Sequence, residues 1–152
     1  MDSVFGQVYK TGAFQAMTFD LKAAMTHKPP MLLIDEVKEA GDNYVVTAFN
    51  VRPDNIFLDG DVLAVEALAE IMAQSVAAFN AHKAWKNNVP PEKGFLVGLK
   101  NVIFSGEAAI GDSLSCRIDI TDFISQTYIA ACSVAKAGKI IAAGEIRIYA
   151  WN

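Results

Sequence analysis

From Val62 to Lys86 the chain contains no proline or glycine, and only Glu66, Glu70, Gln74, Ser75 and Asn80 interrupt its apolar and small residues before His82. This stretch predicts one helix of about 35 Å, long enough to cross a domain. A helix that is apolar on nearly every face has to be buried. The Asn87-Asn88-Val89-Pro90-Pro91 cluster ends it. Whatever surrounds this rod must cover it on most sides, which narrows the choice of architecture sharply.

The flanking sequence supplies the cover. Phe19 to Met25 predicts a short helix, closed by Pro29 and Pro30. Met31-Leu32-Leu33-Ile34 leads into a strand over 33–39, Ala40-Gly41-Asp42-Asn43 is a turn, and Tyr44 to Val51 is rich in β-formers. After the long helix, four strands are expected over 94–105, 113–124, 127–137 and 139–150. Within them Ile118 and Ile120 alternate with Asp119 and Thr121, and Ile146 and Ile148 with Glu145 and Arg147. Gly111-Asp112, Ser125-Gln126 and Gly138-Lys139 carry the turns. Two strands, one buried helix and four further strands predict an α+β protein of the hotdog type, its central helix wrapped by a curved antiparallel sheet of about six strands. Such a sheet has an open edge, so pairing into a dimer is expected.

Composition agrees with a compact domain that has an interior and an interface to fill. The chain has 152 residues, of which 53% are hydrophobic and 20% charged, with a mean hydropathy of +0.26. That excludes a disordered chain. A net charge of −4 and a pI near 5.1 argue against a nucleic-acid partner. No uncharged apolar run reaches the roughly 18 residues of a membrane span. Nor does the opening stretch resemble a secretory leader. The expectation is a soluble, cytoplasmic protein. Cys116 and Cys132 give no disulfide framework and read as buried reduced thiols. Residues 1–16 carry little pattern and are treated as an extension, with a single domain over 17–152.

Glu66, Glu70 and Gln74 stand at i, i+4 and i+8, a polar stripe on an apolar rod. Burying carboxylates is costly. The stripe therefore reads either as a solvated boundary or as a functional site. A buried glutamate holds its proton to higher pH and can act as a general acid. Its complement would be a base, and the histidines available are His27 and His82. His82 reads as an exposed or merely hydrogen-bonded imidazole. Gly60 and Asp61 precede the helix, whose free N–H groups could polarise a carbonyl, although Asp61 could also occupy them as an N-cap. With no Cys/His cluster at ligand spacing and no Gly-rich phosphate loop, neither a metal nor a separate cofactor is expected.

Several segments resemble a known family. His27-Lys28-Pro29-Pro30-Met31-Leu32-Leu33-Ile34-Asp35-Glu36-Val37 is similar to the N-terminal "PHRPPxLLxDRV" segment of 3-hydroxyacyl-acyl-carrier-protein dehydratases. Glu70-Ile71-Met72-Ala73-Gln74 resembles their "EAMAQ" stretch, and Gly94-Phe95-Leu96-Val97-Gly98 with Gly111-Asp112-Ser113-Leu114 resembles their post-helix strand and "GDxL" turn. The matches occur in order and extend, with the strand pattern, over about four-fifths of the chain. One departure stands out. The housekeeping enzymes carry a catalytic histidine in a "GHFP" loop before the helix, whereas here Phe57-Leu58-Asp59-Gly60-Asp61 runs almost directly into it. That abbreviation resembles the dehydratase-like branch of aryl polyene biosynthesis.

The resemblance implies reversible loss of water from a 3-hydroxyacyl thioester on an acyl carrier protein, giving the trans-2-enoyl product. Glu70 matches the helix carboxylate, Gln74 its companion, and His27 is the candidate replacement base. N–H groups near Gly60 to Leu63, or in Gly94 to Gly98, would hold the thioester oxygen. Met31, Leu33, Phe57, Leu63, Phe95 and Leu96 are candidates for an apolar acyl channel. The carrier's phosphopantetheine arm is the only prosthetic group implied. Lys83, Lys86, Lys93 and Lys100 are candidates for a local basic docking patch on an otherwise acidic chain. The site of such enzymes lies between subunits, so a homodimer or a heterodimer with another hotdog chain is implied. A hotdog thioesterase, a non-catalytic partner subunit and a plain acyl-thioester binding module remain as alternatives.

Overall fold

The structure, a computed structural model, describes residues 19–151. The expectation for residues 1–16 lies outside them. The elements follow the order α1 (Leu21–Ala24), β1 (Glu36–Ala40), β2 (Tyr44–Asn50), β3 (Leu58–Asp59), β4 (Val62–Leu63), α2 (Val65–Lys86), β5 (Lys93–Phe104), β6 (Ser113–Ile124), β7 (Thr127–Lys136) and β8 (Lys139–Trp151). Six strands form one antiparallel sheet in the order β1-β2-β6-β7-β8-β5. Helix α2 lies in the hollow of that sheet, touching β1, β2, β5, β6, β7 and β8. This is the hotdog arrangement.

The rod is long because nothing in it breaks a helix. It stops at a defined signal: Asn88 adopts a left-handed φ of 56°, the Asn88 N–H donates to the Trp85 carbonyl, and the Val89 N–H reaches back to the Ala84 carbonyl. These paired bonds satisfy the helix's last carbonyls, and asparagine tolerates that backbone region better than most residues. Leu68, Ile71, Met72, Val76 and Phe79 enter one core with Val45, Cys116, Ile118, Val134, Ile141 and Ile146 of the sheet. A side chain of this size contributes about 1.5–3 kcal/mol when fully buried.

The helix starts three residues later than the sequence suggests. Leu58–Asp59 and Val62–Leu63 pair as a small hairpin across Gly60, whose φ of 65° suits a tight turn. The Leu63 N–H then donates to the Ala108 carbonyl, so these residues are held in extended backbone. The N-cap is Ala64, without a side-chain cap, and not Asp61.

The first strand also begins late, at Glu36 rather than at residue 33. Leu33 and Ile34 are buried, but Leu33 gives its N–H to the Gln74 side chain instead of to a strand. The last hairpin turns on Ala137 and Gly138, with φ of 50° and 79°, one residue earlier than expected. Two successive positive φ values match the right-handed twist of the flanking strands.

The stability of the interior extends to its thiols. Cys116 and Cys132 are free and buried. Burial pushes the Cys116 thiol up to about 12 and raises that of Cys132 as well. No helix among the described residues is long and apolar enough to cross a membrane.

Candidate functional site

The polar stripe of α2 does not behave as one unit. Glu66 is exposed, Glu70 is half-buried, and Gln74 is 1% exposed. The expectation of a buried Glu70 is therefore corrected: its side chain keeps 37% of its surface. The deeply buried member is Gln74, and its amide is fully engaged. Its Oε1 accepts from the Leu33 N–H at 2.7 Å, and its Nε2 donates to the Met31 carbonyl at 2.9 Å and to Glu70 Oε2 at 3.0 Å. One side chain thus ties the segment before β1 to the helix and fixes the Glu70 carboxylate at the same time.

That tie places His27. Lys28 to Leu32 folds into a turn, in which the Met31 and Leu32 N–H groups donate to the Lys28 carbonyl, and the segment enters the core at Leu33 and Ile34. His27 is left at the helix surface with Nε2 3.7 Å from Glu70 Oε2. Both residues belong to the same chain, so the pair forms without a second subunit. Nδ1 of the imidazole is buried and has no hydrogen-bond partner.

His27 and Glu70 open onto a cavity of about 190 Å³, floored by Ala73 and Ala77 and walled by Gly94, Phe95, Leu96 and Ile148. Two small residues one helical turn apart leave the space, and the β5–β8 pair closes it. Leu96 pairs with Ile148, after which the register shifts before Gly98, so the strand bulges next to the site. A carboxylate and an imidazole in contact beside an apolar wall can move a proton to and from a bound molecule.

The remaining sequence candidates scatter. Phe95 and Leu96 line the cavity, at 52% and 40% exposure. Met31 lies half-exposed and supplies a carbonyl to Gln74. Gly60 sits in the β3–β4 turn, Leu63 is buried in the main core and Phe57 packs against it, so none of the three lines the cavity. Within the Gly60–Leu63 stretch expected to hold the thioester oxygen, the Leu63 N–H is already spent on Ala108. Gln74, expected as a substrate contact, has its amide engaged by Leu33, Met31 and Glu70 and clamps these segments together. His82 packs against Phe19 and Trp85, with ring centres 5.1 and 5.4 Å away, and burial and nearby Lys86 lower its pKa. It lines a different groove from His27.

Asn80 was visible in the sequence only as a polar interruption of the helix. It stands ten residues beyond Glu70 on the cavity's side, 9% exposed. Glu92 also lines the cavity and accepts a 2.9 Å hydrogen bond from the Tyr128 hydroxyl.

The fold has solved counterparts. The dehydratase heterocomplex ApeI:P from Xenorhabdus doucetiae superimposes with a TM-score of 0.83 at 20% identity, covering 90% of this chain and 93% of that one. A hypothetical thioesterase with coenzyme A from Streptococcus pneumoniae gives 0.62 at 11% identity, covering 76% and 86%. These place the chain in the hotdog class. Among curated proteins, the 3-hydroxyacyl-acyl-carrier-protein dehydratase FabZ of Acinetobacter baumannii is 30% identical over 140 residues, covering 84% of this chain and 91% of that one. FabZ of Clostridium perfringens is 29% identical over 136 residues, covering 84% and 93%. A family model described as ApeP dehydratase matches residues 19–152. The chain belongs to the ApeP-like dehydratase family.

Proposed function

We propose that the chain dehydrates 3-hydroxyacyl thioesters carried on acyl carrier protein, giving trans-2-enoyl products, in fatty-acid-like or aryl polyene chain synthesis in the cytoplasm. The observation that carries the residue assignment is the His27–Glu70 contact of 3.7 Å at a cavity with an apolar wall. Neutral His27 takes the proton from the carbon next to the thioester carbonyl. Glu70 acts as the acid, passing a proton to the departing hydroxyl, which leaves as water. The site is then an imidazolium beside a carboxylate. Return of the proton from His27 to Glu70 resets it. Phe95, Leu96 and Ile148 offer the acyl chain an apolar wall, while Gln74 holds the carboxylate in place.

A partner-subunit role deserves a second reading because of β5. This twelve-residue strand is an outer strand of the sheet, and Phe95, Leu96, Val97, Leu99, Ile103 and Phe104 are all exposed on it. An apolar edge of this length favours pairing with another hotdog chain. The match to a heterocomplex supports a different chain as that partner. Lys83, Lys86, Lys93 and Lys100 are exposed near the helix end and along β5, suited to an acidic carrier protein.

The test is turnover of a 3-hydroxyacyl carrier-protein thioester, followed by enoyl absorbance and by free thiol, with wild type, His27→Ala and Glu70→Gln. Loss of enoyl product in both folded variants supports the pair. Loss in Glu70→Gln alone removes His27 as base. Thiol release without enoyl product makes the protein a thioesterase. Absence of both, with turnover restored only by an added hotdog subunit regardless of these substitutions, establishes the partner role.

A further inference from the structure

Among the described residues, two buried side-chain polar atoms lack a hydrogen-bond partner: His27 Nδ1 and Asn80 Oδ1. Both residues line the same cavity. Buried polar atoms are almost always paired, because an orphan forfeits its hydration without return. An orphan is tolerated where something else supplies the partner. That the two orphans converge on one space, from opposite ends of a floor made by Ala73 and Ala77, points to a ligand that spans it.

Asn80 stands about 15 Å from Glu70 along the helix axis. A second cavity of about 520 Å³ adjoins it, with Asn80 and Glu92 in the lining of both, and is bordered by exposed Lys83 and Asn87. The order from Glu70 to Lys83 is therefore reacting pair, small apolar floor, unpartnered amide oxygen, and then an opening bordered by Lys83 and Glu92. A purely hydrocarbon occupant would leave the Asn80 oxygen unpaired. A thioester substrate that carries an N–H or O–H donor at this distance from its reacting carbon would pair it.

We propose that Asn80 is a positioning residue for the substrate, accepting at Oδ1 a hydrogen bond from an N–H or O–H donor of the acyl thioester laid along the Ala73–Ala77 floor. This rests on the reading of His27 and Glu70 as the reacting end. The donor has two possible sources, an amide of the pantetheine arm or a hydroxyl on the acyl chain. In either case Asn80 sets the register of the chain relative to Glu70 without touching the bond that breaks.

The experiment is equilibrium binding by calorimetry to the full-length protein, using thioesters without a 3-hydroxyl so that nothing can be eliminated. The probes are butyryl-pantetheine, S-ethyl octanethioate, and its omega-hydroxy analogue. Asn80→Leu should weaken the donor-bearing probe by about ten-fold, the value of one buried hydrogen bond, and leave S-ethyl octanethioate unchanged. Asn80→Asp, which keeps an acceptor, should restore most of the loss. Selective weakening of butyryl-pantetheine assigns the donor to the arm, and of the hydroxy analogue to the acyl chain. Equal weakening of all three probes, or of none, overturns the proposal. Should Asn80→Leu fail to fold, wild-type protein that binds S-ethyl octanethioate as tightly as both donor-bearing probes overturns it equally. Turnover surviving in Glu70→Gln would remove the catalytic reading while these binding constants stand on their own.

Discussion

Replacing Gln74 by leucine tests how far one amide organises the site. Leucine is close in volume, so the substitution leaves little cavity, and the effect comes from hydrogen bonds. The Leu33 N–H is fully buried and loses its partner, at a cost of about 1–3 kcal/mol. The Met31 carbonyl and the Glu70 carboxylate lie nearer solvent, and each loses a bond of net value about 0.5–1.5 kcal/mol. Burying an apolar side chain in place of an amide offsets part of this, by about 1–3 kcal/mol. The net destabilisation is about 2 kcal/mol, which lowers Tm by roughly 4–8 °C for a chain of this size. Activity should fall further than stability, because His27 and Glu70 lose their common anchor. Gln74→Glu sharpens the contrast: the acceptor for Leu33 remains, but an oxygen now faces the Met31 carbonyl and the Glu70 carboxylate. A buried carboxyl beside another carboxylate has a raised pKa, so this variant should be most stable in acid and lose stability as pH rises through that value. Thermal unfolding by circular dichroism and the enoyl assay read both effects. A Gln74→Leu protein that melts within about 1 °C of wild type and turns over normally would refute the clamp.

Two further outcomes follow from the geometry. Burial and the hydrogen bond to Glu92 push the Tyr128 phenol up to about 12 from an ordinary value of 10.0. The neutral phenol is therefore favoured by the fold, so its contribution is complete below pH 10 and is lost between about pH 10 and 12. Tyr128→Phe should flatten that alkaline limb of the stability profile in denaturant titrations, and an unchanged slope would count against the assignment. At the sheet edge, Leu99→Lys with Ile103→Lys places two charges on the exposed apolar face of β5. Light scattering after gel filtration should then show a shift to monomer with unchanged circular dichroism, whereas an unaltered mass would rule out β5 as the pairing edge.

Much of the architecture was legible because it rests on local signals. The absence of helix breakers, the Asn-Asn-Val-Pro-Pro stop and the alternating isoleucines define elements within short windows, and the observed strands β5 to β8 begin and end within a residue or so of those signals. The misplaced starts of the long helix and of the first strand share one cause. Leu63 carries a helix-compatible side chain, and Leu33 a strand-compatible one, but their backbone N–H groups are claimed by Ala108 and Gln74 from distant parts of the chain. No window of sequence shows such a claim. The site divides the same way. Glu70 stood out as a carboxylate on an apolar rod, and His27 through its motif, whereas Asn80 gave no signal beyond being polar.

The sequence alone determined that a long apolar helix had to be sheathed by a sheet, since burial of that much hydrocarbon admits few arrangements. It also determined which residues were costly enough in an apolar setting to invite a functional reading. Tertiary structure decided where they sit. It showed that Gln74, not Glu70, is the buried member of the stripe, that His27 meets Glu70 within one chain, and that Gly60 and Leu63 face elsewhere. Those outcomes depend on which groups satisfy one another across tens of residues, and hydrogen bonds of 2.7–3.0 Å such as those of Gln74 exist only once the fold has closed.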